Sequence, residues 1–171
     1  MPMVRNTLRR TLATLCAFAA FLGATAIASG TSRAAGGRDH RFSAAYVGQG
    51  QGETSGTSAS GSATLRGRGR LIGRGTMSGS ANGTFTSQTC VAFSGRAVLR
   101  GKTGSLRLRA HRAQACATDG GTSVSFSGRA SVTGGTATFA GARGRLSFRG
   151  TFDRTSGSVK VSLSGVIRYR A

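Results

Sequence analysis

Side chains suited to acid–base, nucleophilic or metal chemistry are few in this sequence. Its 171 residues include four carboxylates, two histidines and three cysteines. A protein metal site needs several Cys, His or carboxylate ligands at short spacings, and neither His40 nor His111 has such a spacing to a cysteine. No histidine is placed to activate a serine, and no GxSxG, P-loop, GxGxxG or HExxH motif occurs. We therefore assign no catalytic residue, cofactor or metal site.

Basic residues, in contrast, are abundant. Twenty-four Lys and Arg residues stand against four Asp and Glu residues, which gives a net charge of +20. A charge this far from zero is typical of proteins that meet polyanions, and it also keeps a surface well solvated. Both interpretations stay open on the sequence.

The elements that position these residues are predicted to be β-strands. From residue 42 onward, apolar or small residues alternate with polar ones, the period of a half-buried strand. The clearest case is the segment 124–152, in which two alternating runs flank a glycine-rich corner at 134–144. The runs predict eight strands and no helix: 42–47, 63–71, 77–85, 91–99, 106–110, 124–132, 146–152 and 159–169.

Two connections depend on how small residues are interpreted. Residues 49–61 hold no large apolar side chain and are predicted to form the longest flexible loop. Asn82-Gly83 is a strong signal for a two-residue hairpin turn, but a turn there would put Met77 and Phe85 on opposite faces. A loop at 87–89 keeps both on one face, and we prefer it because a one-residue slip turns a whole apolar face outward.

A short repeat (apolar, any residue, apolar, Ser or Arg, Gly) recurs at 91–95, 124–128, 146–150 and 161–165. Its glycine falls on the apolar face, although glycine weakens a strand. Inward glycines let strands coil sharply in a small barrel, or they leave room for a neighbouring phenylalanine ring. Both explanations favour a closed antiparallel eight-stranded barrel. Its predicted lumen-lining residues are Phe93, Gly95, Phe126, Gly128, Phe148, Gly150, Leu163 and Gly165, and the three phenylalanines and Leu163 are predicted to be core.

The basic residues indicate which face of the strands is outside. They lie on the polar face, and the interior of an eight-stranded barrel is only just wide enough for side chains. Unpaired buried ions would each cost several kcal/mol, so we expect the arginines to face solvent, unlike the polar face of an outer-membrane barrel. The residues predicted to bind a polyanion are Arg66, Arg68, Arg70, Arg96, Arg100, Arg107 and Arg109.

A cleaved export signal is predicted over residues 1–28. It has a basic start, an apolar stretch rich in Ala and Leu, and a small-x-small cleavage site ending at Ala28, with Ala34 as an alternative. The stretch is shorter than the roughly 20 residues a spanning helix needs. Residues 29–41 are then predicted as a flexible leader and 42–171 as the barrel domain, located outside the cytoplasm. Removing 1–28 leaves 21 basic and four acidic residues, a net charge of +17.

One disulfide, Cys90–Cys116, is predicted because two cysteines remain in the exported chain. A hairpin turning at 101–104 pairs apolar residues with each other, but beyond Ala110 the small apolar residues change phase. One extra residue near 111–112, a β-bulge, restores the pairing. Both cysteines then lie directly opposite each other, roughly 5 Å apart at Cα.

The corner GGTATFAGARG at 134–144 resembles a segment of allene oxide cyclase-like and dirigent-like barrels, although Ala137 replaces a glycine of their pattern. The GTFD at 150–153 and the closing strand VKVSLSGVIRY are similar to secreted bacterial members. The resemblance implies an antiparallel eight-stranded barrel, often oligomeric, with an apolar pocket at one end. It also implies a cyclase-like or dirigent-like activity, but the family's catalytic residues have no match here.

Three functions follow as expectations. The first is a non-enzymatic exported barrel that binds a small apolar ligand in its lumen. The second is a cationic surface that binds a polyanion, such as a cell-envelope polymer, anionic lipid or the nucleic-acid backbone. Aromatic residues hardly interleave with the arginines, so no sequence-specific nucleic-acid binding is expected. The third is the cyclase-like or dirigent-like activity of the resembling family.

Overall fold

The barrel is closed and entirely antiparallel. The computed structural model describes residues 37–170, in which each strand pairs with the next and the eighth pairs with the first. This confirms the predicted eight-stranded barrel; the predicted export signal and residues 29–36 lie outside the described residues. The strands are β1 (Arg38–Ser55), β2 (Ser58–Gly69), β3 (Gly73–Phe85), β4 (Cys90–Gly101), β5 (Gly104–Thr118), β6 (Ser123–Ala137), β7 (Arg143–Asp153) and β8 (Ser158–Tyr169).

The first hairpin is much longer than predicted. β1 and β2 pair from Ala44 with Gly69 to Ser55 with Ser58, and a two-residue turn joins them. The predicted flexible loop at 49–61 is therefore wrong. Small residues at every second position let the strands continue without large apolar side chains, and a Cβ at Gly48 would overlap the carbonyl of Thr64. β1 also begins at Arg38, so the barrel starts four residues before the predicted boundary at 42.

The other doubtful connection is as predicted. β3 passes straight through Asn82-Gly83 and reaches Phe85, which pairs with Val91 of β4. The loop over 86–89 is closed by short hydrogen bonds: the Thr86 amide donates to the Cys90 carbonyl at 2.8 Å, and the Cys90 amide donates to Ser87 Oγ at 3.1 Å. The side-chain phase thus overrides the local turn signal.

The β4–β5 hairpin confirms the predicted register and disulfide. Leu99 pairs with Leu106, the register shifts by one residue between Phe93 and Gly95, and Cys90 then pairs with Cys116. Arg112 in the bulge has a φ of +50°. The cysteines are disulfide-bonded with a Cα–Cα distance of 4.1 Å.

Glycines and phenylalanines are paired reciprocally between β6 and β7. Phe126 lies opposite Gly150, and Phe148 lies opposite Gly128. A Cβ at Gly150 would come within 2.5 Å of Phe126 Cζ, and one at Gly128 within 2.8 Å of Phe148 Cζ. At these two positions glycine makes room for a neighbouring ring.

One end of the barrel, here called the plugged end, is filled by aromatic and aliphatic side chains. After β6 the chain turns inward and buries Phe139 completely, together with Ile72 and Ile167. Tyr169 packs edge-on against Phe139 at 5.1 Å between ring centroids and stacks on His40 at 4.4 Å. Residues 37 and 170 both lie at this end, because β1 begins and β8 ends here.

Candidate functional site

The opposite end of the barrel, the open end, leads into an apolar cavity of about 360 Å³. This volume lies at the lower end of the range for small-molecule sites. Its walls include Phe93, Phe126, Phe148 and Phe152, and its floor includes Leu65 and Leu163. An eight-stranded barrel can hold one small ligand when its interior is not filled by side chains, and here side chains close the plugged end and leave space at the open end.

The structure divides the predicted lumen residues into two groups. Five of them line the cavity: Phe93, Gly95, Phe126, Phe148 and Leu163. The other three, Gly128, Gly150 and Gly165, are not among the cavity-lining residues, because neighbouring side chains lie over them. Phe148 lies against Gly128, Phe126 against Gly150 and Leu146 against Gly165.

Of the four residues predicted to be core, one is buried and three are only partly buried. Leu163 is buried, with 3% of its surface exposed. The phenylalanines Phe93, Phe126 and Phe148 point inward but are only partly buried, because each ring borders the cavity. They are walls of the cavity and not members of the close-packed core.

Sequence reasoning missed the part of the cavity that β1 and β2 contribute. Gly50 and Gly52 of β1 and Ala59, Gly61 and Ala63 of β2 line it. The sequence feature that could have revealed these strands is the glycine or alanine at every second position. Because these residues add little hydrophobicity, the segment looks like a low-complexity loop.

Charged side chains are few among the residues that line the cavity. Among its lining residues, the ionisable ones are Glu53, Arg96 and Arg154. Arg154 follows β7 at the open end, where its guanidinium donates a 3.4 Å hydrogen bond to the carbonyl of Gly121. An occupant would therefore meet hydrocarbon in the interior and hydrogen-bonding groups at the mouth.

One polar atom is buried beside the cavity wall. Tyr46 pairs with Gly67 on one side and with the cavity-lining Val161 on the other. Only 1% of its surface is exposed, and its hydroxyl has no hydrogen-bond partner among the described residues. Burial raises the pKa of this phenol above its usual value, so it stays neutral at physiological pH.

The arginines lie on the outside of the barrel, as predicted. All seven residues of the predicted polyanion-binding set are exposed. Arg96 lies directly opposite Arg109, and Arg68 directly opposite Arg74. Like charges in such cross-strand pairs repel each other.

Acidic partners are scarce on this surface. Within residues 37–170 one salt bridge forms, in which Arg168 Nε donates to Asp39 at 2.7 Å. This hydrogen bond lowers the pKa of Asp39 below its usual value. The carboxylate of Asp153 instead accepts the amides of Thr155 and Ser156, both at 2.9 Å. Most of the basic residues thus have no acidic side chain to neutralise them.

Residues 37–170 contain no group of three or more His, Cys, Asp or Glu side chains that could hold a metal ion. Over the same residues, no helix has the length and apolar character needed to cross a bilayer.

Comparisons of the chain with family models, curated proteins and solved structures found no match.

Proposed function

We propose that the barrel binds a small apolar ligand in the cavity at its open end. The observation that carries the proposal is the unequal filling of the barrel: Phe139 and its neighbours close one end, while rings and aliphatic side chains surround an open space at the other. At about 30 Å³ for each water-sized group, the cavity has room for about a dozen such groups. An apolar occupant gains free energy in proportion to the area that it removes from water.

The resemblance to allene oxide cyclase-like and dirigent-like barrels supports the same proposal, since it implies an apolar pocket at one end. The proposal stops at binding. Three of the cavity-lining residues are ionisable, and each of them is exposed to solvent. The walls around the interior are mainly apolar, which suits retention of a ligand better than acid–base chemistry.

A pair of variants on one strand tests this function. Ala97 lines the cavity and points inward from β4, whereas Ala92 of the same strand is exposed on the outside. Ala97→Phe should fill part of the cavity and abolish the fluorescence increase of Nile red, a neutral apolar dye that the arginines do not attract. Ala92→Phe adds the same ring outside and should leave dye binding unchanged. Failure of the wild-type protein to bind the dye, or equal binding by both variants, would refute the proposal.

A second candidate function is polyanion binding by the outer surface. The directly opposed pairs Arg96–Arg109 and Arg68–Arg74 favour it, because a bound anion relieves repulsion between like charges. Retention on heparin should fall steeply with salt, since each phosphate or sulfate contact releases counterions. Weak retention that does not change with salt would argue against this function.

We also infer that the protein works outside the cytoplasm. The Cys90–Cys116 disulfide is consistent with an oxidising compartment, and the predicted signal over residues 1–28 supplies the route. Mass spectrometry of the protein recovered from the outside of its cells tests this: a chain that starts after Ala28 or Ala34 is expected, and an intact N-terminus would contradict it.

A further inference from the structure

Charge is distributed unequally along the barrel axis. We divide the barrel across its axis at the deepest cavity-lining residue of each strand, for example Leu65 in β2 or Leu163 in β8. The part of the barrel on the side of the plugged end is called the plugged half, and the rest is called the open half. Of the described residues, the plugged half has one acid, Asp39, and these thirteen basic residues: Arg38, Arg41, Arg66, Arg68, Arg70, Arg74, Arg100, Lys102, Arg107, Arg143, Arg145, Arg168 and Arg170.

The open half has a smaller excess of positive charge. It has three acids, Glu53, Asp119 and Asp153. Its seven basic residues are Arg96, Arg109, Arg112, Arg129, Arg149, Arg154 and Lys160. Subtracting acids from bases gives +12 for the plugged half and +4 for the open half. The mouth of the cavity therefore lies at the end with the lower charge.

The basic residues of the plugged half form a belt around the barrel. Seven of the eight strands contribute to it, and the exception, β6, is flanked by contributions from β5 and β7. At β6 the belt is bridged over Gly134, where a Cβ would lie 3.1 Å from Arg107 Nη2 and 3.6 Å from Arg143 Nη1. The two nitrogens are therefore at most 6.7 Å apart, the sum of these distances.

Arg143 is held in place by the backbone. Its Nη1 donates to the carbonyls of Thr133 at 2.8 Å and Ala142 at 3.0 Å. These two bonds use both hydrogens of Nη1. A tetrahedral oxyanion beside Arg107 and Arg143 would therefore accept a charge-assisted hydrogen bond from Arg107 and another from Nε or Nη2 of Arg143, each at about 2.8 Å. Because Arg143 is already ordered, binding an anion here would cost little further side-chain entropy.

We propose that the belt in the plugged half binds a flexible, phosphate-bearing polymer and leaves the cavity mouth free at the other end. This inference rests on the second candidate function and adds where on the barrel the polyanion binds and what kind of polyanion it is. A belt that encircles a barrel matches a chain able to curve around it, whereas a flat bilayer would contact one side only. The two large apolar side chains exposed on the described surface, Val47 and Val166, are too few to enter a bilayer.

Two charge-matched triple variants test the location. The variant of the plugged half is Arg68→Thr/Arg100→Thr/Arg107→Thr, and the variant of the open half is Arg129→Thr/Arg149→Thr/Lys160→Thr. All six side chains are exposed on strands, and each variant loses three positive charges. Binding of labelled inorganic polyphosphate is measured by fluorescence anisotropy between about 50 and 200 mM salt.

The plugged-half variant should bind polyphosphate about tenfold more weakly than the wild type, as expected from three exposed ionic contacts. The slope of log affinity against log salt should fall by about 2, because each contact to a flexible single chain contributes about 0.7. The open-half variant should keep most of the affinity. Arginine modification by phenylglyoxal, read by mass spectrometry, gives a variant-independent check: polyphosphate should protect Arg100 and Arg107 more than Arg149.

The possible failures are distinguishable. No polyphosphate binding by a wild-type protein that is still retained on heparin would overturn this inference alone, and failure to bind either polyanion would overturn the second candidate function as well. Equal weakening of both variants, or equal protection of both halves, would leave polyanion binding standing and overturn the location. Tighter binding to vesicles containing anionic lipid than to polyphosphate would overturn the choice of a polymer.

Discussion

Removal of the disulfide should cost much of the protein's stability. Cys90 and Cys116 are 26 residues apart in sequence, and cross-linking a loop of this size removes about 3.5 kcal/mol of chain entropy from the unfolded state. Small proteins are stabilised by about 5–15 kcal/mol in total. The double variant Cys90→Ser/Cys116→Ser should therefore stay folded with a clearly lower free energy of unfolding.

Urea unfolding followed by circular dichroism measures the effect. With a slope of about 1–3 kcal/mol per molar urea, the midpoint of the double variant should fall by roughly 1–3 M. Reducing agent should lower the midpoint of the wild-type protein by the same amount and leave the double variant unchanged. An unchanged wild-type midpoint after reduction, or alkylation of both thiols in the unreduced folded protein, would refute both the cross-link and the register of β4 and β5.

Two further predictions concern buried positions. Gly150→Ala should destabilise the protein by about 1–3 kcal/mol, because the added methyl group would overlap the carbonyl oxygen of Lys160 and lie 2.5 Å from Phe126 Cζ. The matched control Gly61→Ala, whose Cβ would lie 3.2 Å from the carbonyl oxygen of Gln51, should destabilise the protein clearly less, since a shift of a few tenths of an ångström relieves that contact; equal losses in thermal unfolding would contradict the packing argument. Tyr46→Phe removes a buried hydroxyl that has no partner and should leave stability unchanged or raise it by up to about 2 kcal/mol. A loss above about 1 kcal/mol in urea unfolding would show that the hydroxyl has a stabilising role.

Strand register was predicted most reliably where apolar residues alternate along the strands and a second constraint acts on the same strands. In the β4–β5 hairpin, the phase change beyond Ala110 placed the bulge, and the bulge placed Cys90 opposite Cys116. At Asn82-Gly83 the apolar phase gave the correct answer against a strong turn signal. In both cases a shift by one residue would expose a whole face, so the register has few alternatives.

The sequence was least informative where glycine replaces apolar residues. The hairpin of β1 and β2 resembled a loop, because the glycines at 48, 50 and 52 contribute no hydrophobic signal. These glycines are needed where a second backbone lies close by, as the Thr64 carbonyl does at Gly48. Such an approach is a property of the closed barrel and not of the local sequence.

By itself, the sequence determined the number of strands, the outward position of the arginines and the β4–β5 disulfide, because a period of two assigns each side chain to one of two faces. Only the tertiary structure decided which inward side chains are packed and which border a cavity. Leu146 and Phe148 share one face of β7, yet Leu146 is buried whereas Phe148 lines the open space. Phe139 plugs one end, and the height of a residue along the axis depends on the tilt and stagger of all eight strands. The separation of the basic residues into two unequal halves has the same origin, since the alternation sets the face of a strand but not the position along the barrel.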